Sequence, residues 1–128
     1  MVLRNFSSHH TALIITDASI KNDIATSISH VHIANQPLTK TVHYVVFVTS
    51  TEAELFAIRC SINQACTKEN ISKVIVIMDS IHAAKKIFNS KFHPFQSHTA
   101  AILSKLWDFF NSNHNNSIEF WECPSCLK

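Results

Sequence analysis

Apolar and polar positions change their spacing several times along this chain, and each change marks an element. Residues Thr11 to Thr16 are apolar nearly throughout, the pattern of a strand buried on both faces. From Ile24 to Ala34 the pattern alternates: in "SHVHIAN", Val31 and Ile33 share one face, and His30 and His32 the other. "TVHYVVFVTS", Thr41 to Ser50, is β-branched and aromatic, as a third strand should be. Asn35-Gln36-Pro37 reads as the connection before it. The period then becomes helical. Leu55, Ile58, Ile62 and Ala65 recur from Thr51 to about Thr67. "KVIVIMDS" is a fourth strand, fully apolar from Val74 to Met78. "SIHAAKKIFNS" is a short helix with Ala84, Ile87 and Phe88 on one side. A longer helix after Pro94 carries Ile102, Leu103, Leu106, Phe109 and Phe110, and "SIEFWE" is a fifth strand.

The resulting order is β-β-β-α-β-α-α-β. Short loops between the first three strands predict an antiparallel meander. Helical crossovers before the fourth and fifth strands predict parallel pairing. The expectation is therefore an α/β fold: a mixed five-stranded sheet flanked by helices, residues 1–128 forming one domain.

Composition changes this picture little. The 128 residues are 46% hydrophobic and 16% charged, enough for a packed core. There is no glycine, so turns requiring positive φ must use Asn or Asp; ten asparagines are present, among them Asn113, Asn115 and Asn116. A net charge of +2 is not the basic stripe of a dedicated duplex binder. No apolar run has the length of a membrane span, and "MVLRNFSSHH" lacks the apolar core of a signal peptide. Reduced thiols in the cytoplasm or nucleus, not secretion, are the expectation for Cys60, Cys66, Cys123 and Cys126.

Candidate chemistry begins with carboxylates. Two buried strands are read as ending in an aspartate, Asp17 in "IITDAS" and Asp79 in "VIMDS". Sites in open α/β sheets gather at the carboxyl ends of strands. If the first and fourth strands are parallel neighbours, the two acids lie side by side. They would then repel unless a cation sits between them, and all-oxygen ligands suit Mg²⁺ or Mn²⁺. Glu54 in "STEAELFAI" has two readings: a further ligand, or the last position of a Thr51-x-x-Glu54 capping box.

The ordered set "IITDAS", "STEAELFAI", "VIVIMDSIHAAKKI" and "IEFWECPSC" resembles the type 1 ribonuclease H domain, which retrotransposons carry in polyproteins behind their reverse transcriptases. The resemblance covers nearly the whole chain. It implies an RNase H-like fold and an endonuclease that uses two metal ions, Mg²⁺ or Mn²⁺, to hydrolyse the RNA strand of an RNA–DNA hybrid. Asp17 would bridge both ions, and Glu54 and Asp79 would complete one. Ser19, Ser80 and Lys85 are assigned to nucleic-acid contact, although the plain reading of Lys85 with Lys86 is a solvated helix face. An adjoining reverse transcriptase domain is the implied partner.

The chain departs from that family in three places. Ala18 stands where glycine follows the first aspartate, and Cys126 falls where a mobile histidine is usual. The fourth carboxylate, which the family places after the fifth strand at the start of a last helix, is not reached before Lys128, so a C-terminally shortened domain is expected. Glu119 and Glu122, within or at the end of the strand, are not obvious substitutes. The alternative function is thus a catalytically impaired RNase H-like module that binds nucleic acid or scaffolds a partner domain. A phosphoacceptor domain is disfavoured by the opening meander. Cys123-x-x-Cys126 is read as incidental thiols ahead of a zinc site or redox pair. Trp107 is assigned to the core or its margin, as is Trp121, which has a second reading as a stacking surface.

Overall fold

The computed structural model describes residues 10–34, 36–46, 49–68, 70–79, 81–89 and 96–122. Its elements run β1 (Thr11–Lys21), β2 (Ile24–Ile33), β3 (Thr39–Val46), α1 (Ser50–Cys66), β4 (Lys73–Met78), α2 (His82–Ile87), α3 (Gln96–Ser112) and β5 (Ser117–Glu122). The five strands form one sheet in the order β3-β2-β1-β4-β5. β1–β2 and β2–β3 are antiparallel, and β1–β4 and β4–β5 are parallel, as the connections require.

β1 is longer than the apolar run suggests. It continues through Asp17 to Lys21, paired all the way with β2, Asp17 lying opposite Ile28. Its hairpin turns through Asn22 and Asp23, whose φ angles are 53° and 64°. Asn and Asp here supply the left-handed conformations that glycine would usually provide. β3 is described as far as Val46, and Ser50, expected to end that strand, is instead the first residue of α1. Asn113, Asn115 and Asn116 serve differently. The Asn116 side-chain amide donates to Phe109 O at the end of α3 (2.8 Å), and the Asn115 N–H donates to Asn113 Oδ1 (3.0 Å).

The helices pack on one face. Ile14, Val74, Val76 and Met78 of the sheet meet Leu55, Ile58 and Ile62 of α1, Ala84 and Ile87 of α2, and Ile102 and Leu106 of α3. A smaller cluster, Leu13, Ile75 and Ile77 with Ile15, lies on the other face. Each fully buried aliphatic side chain contributes roughly 1.5–3 kcal/mol. The exposed Lys73–Glu119 ion pair (3.1 Å) contributes at most about 1 kcal/mol, so the core, not surface charge, holds the sheet together.

Inward-facing Ser27 and Ser29 interrupt the apolar face of β2. Ser27 Oγ donates to Ala53 O, so its hydroxyl is satisfied by the first turns of α1. Trp107 is not core: it is 68% exposed, and Leu103 and Phe110 are 41% and 37% exposed on the same flank of α3. Ile102, Leu106 and Phe109 take the inward stripe instead. Phe88 is likewise exposed, its ring edge-on to Phe120. Among the described residues no helix is long and apolar enough to cross a membrane.

Candidate functional site

The parallel β1–β4 ladder ends at the pair Ile15–Ile77. Two residues further along each strand come Asp17 and Asp79, so the ladder delivers the two acids to the same level of the sheet. β4 stops at Met78, leaving Asp79 just past its end, whereas Asp17 is an interior residue of β1. Asp17 is therefore not the strand terminus that its sequence context suggests. The apolar run ends there because the residues beyond, from Ser19 to Lys21, are exposed and bonded through β2.

Glu54 comes from the start of α1, and three contacts fix that turn. Thr49 caps the helix, its side chain accepting the Glu52 N–H at 3.2 Å. Ser27 of β2 holds Ala53 O. Glu52 Oε1 lies 3.3 Å from Nε2 of His98 in the first turns of α3. The cap is thus Thr49-x-x-Glu52, two residues before the expected Thr51-x-x-Glu54. Glu54 is not needed to cap the helix and is half-buried toward the two aspartates.

The electrostatics tie the three acids together. Burial raises the Glu54 carboxyl to about 7, with the charges of Asp79 and then Asp17 adding to the shift. Asp17 is also raised, first by burial and then by Asp79 through charge and hydrogen bonding, against the N–H of Ala18, which donates to Asp17 Oδ1 at 2.9 Å. Asp79 Oδ1 is buried without a hydrogen-bond partner among the described residues. Such an atom is costly unless a ligand completes it.

Carboxylate oxygens and one orphaned acceptor are the donor set of a hard divalent cation, and in that respect the residues fit Mg²⁺ or Mn²⁺. The site is open: among the described residues no three His, Cys, Asp or Glu side chains are grouped closely enough to hold a metal ion by themselves. Water and phosphate oxygens would have to supply the remaining positions.

Of the other sequence candidates, Ser19 is exposed on β1 opposite Thr26, in the hairpin beyond the acids. Lys85 is exposed in the last turn of α2. Ser80, Cys123 and Cys126 lie outside the described residues. Cys60 and Cys66 are both free on α1, and burial pushes both thiols up, Cys66 to about 11, away from thiolate chemistry.

Two features escaped the sequence reading. His98 and His43 both meet the ring of Phe56 edge-on, with centroids 6.0 and 4.8 Å away, so His43 packs against α1. Glu122, at the end of β5, accepts the Ile81 N–H just after Asp79. The parallel register that pairs Met78 with Glu122 was the signal for the second; nothing in the spacing signalled the first. An open cavity of about 590 Å³ lies beside the end of α1, lined by Cys66, Asn70, Phe109 and Asn116, and contains none of the three acids.

Compared by sequence, the chain matches no family model and no curated protein. Compared by structure, it is similar to RNase H1 from the halophilic archaeon Halobacterium salinarum NRC-1. The TM-score is 0.70 at 10% identity, over 91% of this chain and 88% of that one. It is also similar to the N-terminal RNase H domain of rv2228c from Mycobacterium tuberculosis, solved as a fusion with maltose binding protein. There the TM-score is 0.73 at 14% identity, over 91% and 89% of the two chains. The fold is RNase H-like.

Proposed function

We propose that this chain is a metal-dependent endonuclease domain that hydrolyses the RNA strand of RNA–DNA hybrids. The observation that supports the reading is the electrostatic coupling of Asp17, Glu54 and Asp79, from three different parts of the fold near the end of the β1–β4 ladder, with Asp79 raising both of the others. Crowded acids are kept at a cost in stability, and a cation-dependent reaction is the common reason. The RNase H-like fold supports the substrate class. The ordered motifs of the sequence support a retrotransposon polyprotein with an adjoining reverse transcriptase domain.

In this reading Asp17, Glu54 and Asp79 would hold the divalent ions, Mg²⁺ or Mn²⁺, with Asp17 as the central ligand and Glu54 and Asp79 completing the set. Bound divalent ions supply an activated water and charge neutralisation for in-line displacement at phosphorus. Glu54 must lose its proton before it can serve, which ties activity to pH. Ser19, Ser80 and Lys85 contact the nucleic-acid backbone near the cut.

The second reading is a catalytically impaired module that binds nucleic acid or scaffolds a partner domain. The absence of three such side chains grouped closely enough to hold a metal ion among the described residues favours it. A labelled RNA–DNA hybrid incubated with the chain and Mg²⁺, then Mn²⁺, separates the two. Cleavage that disappears in Asp17→Asn supports the nuclease. Hybrid retention without cleavage in either metal supports the module, and cleavage by Asp17→Asn equal to its parent removes the catalytic assignment.

A further inference from the structure

We infer that Glu122 is a positioning residue for Asp79, an inference that rests on the nuclease reading for its functional meaning but not for its structural content. β4 ends at Met78, and the chain must carry Asp79 across a short connection into α2. Asp79 is therefore held by strand pairing on one side only. The last parallel pair of β4 and β5 is Met78–Glu122, which brings the Glu122 side chain alongside that connection. Its Oε2 accepts the Ile81 N–H at 2.8 Å, two residues after Asp79.

Ile81 is the N-cap residue of α2, and its own side chain supplies no capping bond. The first turn of α2 carries no acidic residue either. The carboxylate that a helix start ordinarily finds nearby in sequence comes here from a neighbouring strand. Ile81 also packs against the main core, so the bond joins the connection to a fixed point. Asp79 is thus spanned: ladder pairing at Met78 precedes it, and the Glu122 bond follows it. A displacement of an Ångström in a reacting group can cost two orders of magnitude in rate, so such a brace bears on function without touching substrate.

Glu122 is exposed, so solvent screens its charge and its acceptor geometry is what matters. This separates positioning from ligation. A glutamine at 122 keeps an oxygen for the Ile81 N–H, whereas alanine does not. A metal ligand would suffer from both changes.

The test compares the chain with Glu122→Gln and Glu122→Ala, with Glu119→Ala as a control for loss of a charge on the same strand. Hydrogen exchange at the Ile81 amide, amide shifts at Asp79 and Mg²⁺ titration followed by NMR are the readouts. Glu122→Ala should speed Ile81 exchange about tenfold, shift the Asp79 amide and weaken Mg²⁺ binding several-fold. Glu122→Gln and the control should stay within about twofold of the parent, less than the loss of one neutral hydrogen bond. If Glu122→Gln weakens Mg²⁺ as much as Glu122→Ala, Glu122 acts through its charge and the inference is overturned. Unchanged Ile81 exchange in Glu122→Ala overturns it as well. A parent chain that binds no Mg²⁺, while the Ile81 and Asp79 amides respond as stated, supports the brace and removes the nuclease reading instead.

Discussion

Asp79 is the neighbour that most raises the Glu54 carboxyl once burial is counted, although the two residues reach the site from a strand end and a helix. Their relationship fixes the pH dependence of the metal-free chain. Glu54 moves from its ordinary 4.5 up to about 7, so the folded state holds a proton that the unfolded state releases earlier. Its stabilising contribution is complete below about pH 4.5 and is lost as pH rises through about 7. The thermal midpoint without metal should therefore fall between pH 5 and 8, and Glu54→Gln should flatten that fall. Scanning calorimetry across the window checks this; a parent midpoint that rises by the same amount as the variant's would refute it.

Removing one of the crowded charges tests the same site from the stability side. Asp79→Asn should leave metal-free stability within about 0.5 kcal/mol of the parent or raise it, because it relieves like-charge repulsion. A residue that merely fixed a turn would lose roughly 1 kcal/mol on substitution. Urea unfolding in the presence of a chelator distinguishes the two.

Divalent ions should bind weakly, the open site leaving most positions to water. Mg²⁺ titration should move the amides of Asp17, Glu54 and Asp79 together, and more strongly at pH 8 than at pH 6, since Glu54 must be deprotonated. Asp17→Asn should abolish the coordinated response. Shifts that appear with Zn²⁺ alone and leave these three amides still would count for a thiol site instead.

His98 should matter through packing more than through charge. Its contact with Glu52 is 3.3 Å, but the Glu52 side chain is 36% exposed, so the pair itself is worth at most about 1 kcal/mol. The ring also packs edge-on against Phe56. His98→Ala should destabilise the fold by about 1–2 kcal/mol. A double-mutant cycle with Glu52→Ala should return a coupling below about 1 kcal/mol. Coupling equal to the whole loss would reverse the ranking.

The β1–β2 turn offers the opposite change. Asp23 sits at φ 64°, which costs an L-residue roughly 1 kcal/mol relative to glycine. Asp23→Gly should raise stability by about that amount in chemical unfolding, with no effect on Mg²⁺ binding.

The strands and their pairing were legible because β-branched runs and connection lengths are local. Ile14 to Thr16 and Val74 to Met78 could only be interior strands, and a helix between strands forces a parallel crossover. The end of β1 was not legible: from Ala18 onward its support is β2, and pairing with one neighbour leaves no apolar signature. The start of α1 was ambiguous because Thr49-x-x-Glu52 and Thr51-x-x-Glu54 both satisfy the capping pattern, and only the Thr49 bond to the Glu52 N–H decides between them. On α3 two apolar stripes lie side by side, and helical spacing alone cannot say whether Leu106 or Trp107 turns inward. For the site, the three acids could be named from sequence, but the charge coupling among them depends on a register two residues past Ile15 and Ile77.

The unequal lengths of β1 and β4 make the acid pair mechanically lopsided. Asp17 is gripped like a rung in the middle of a ladder, with β2 bonded on both sides of it. Asp79 rides on a short bridge whose far end is tied to β5 by the Glu122 bond to Ile81. If the gap between the two carboxylates has to narrow or widen as an ion arrives, the travel belongs to Asp79. Substitutions that tune it would then lie along residues 79–81 and at Glu122, while the hairpin stays still.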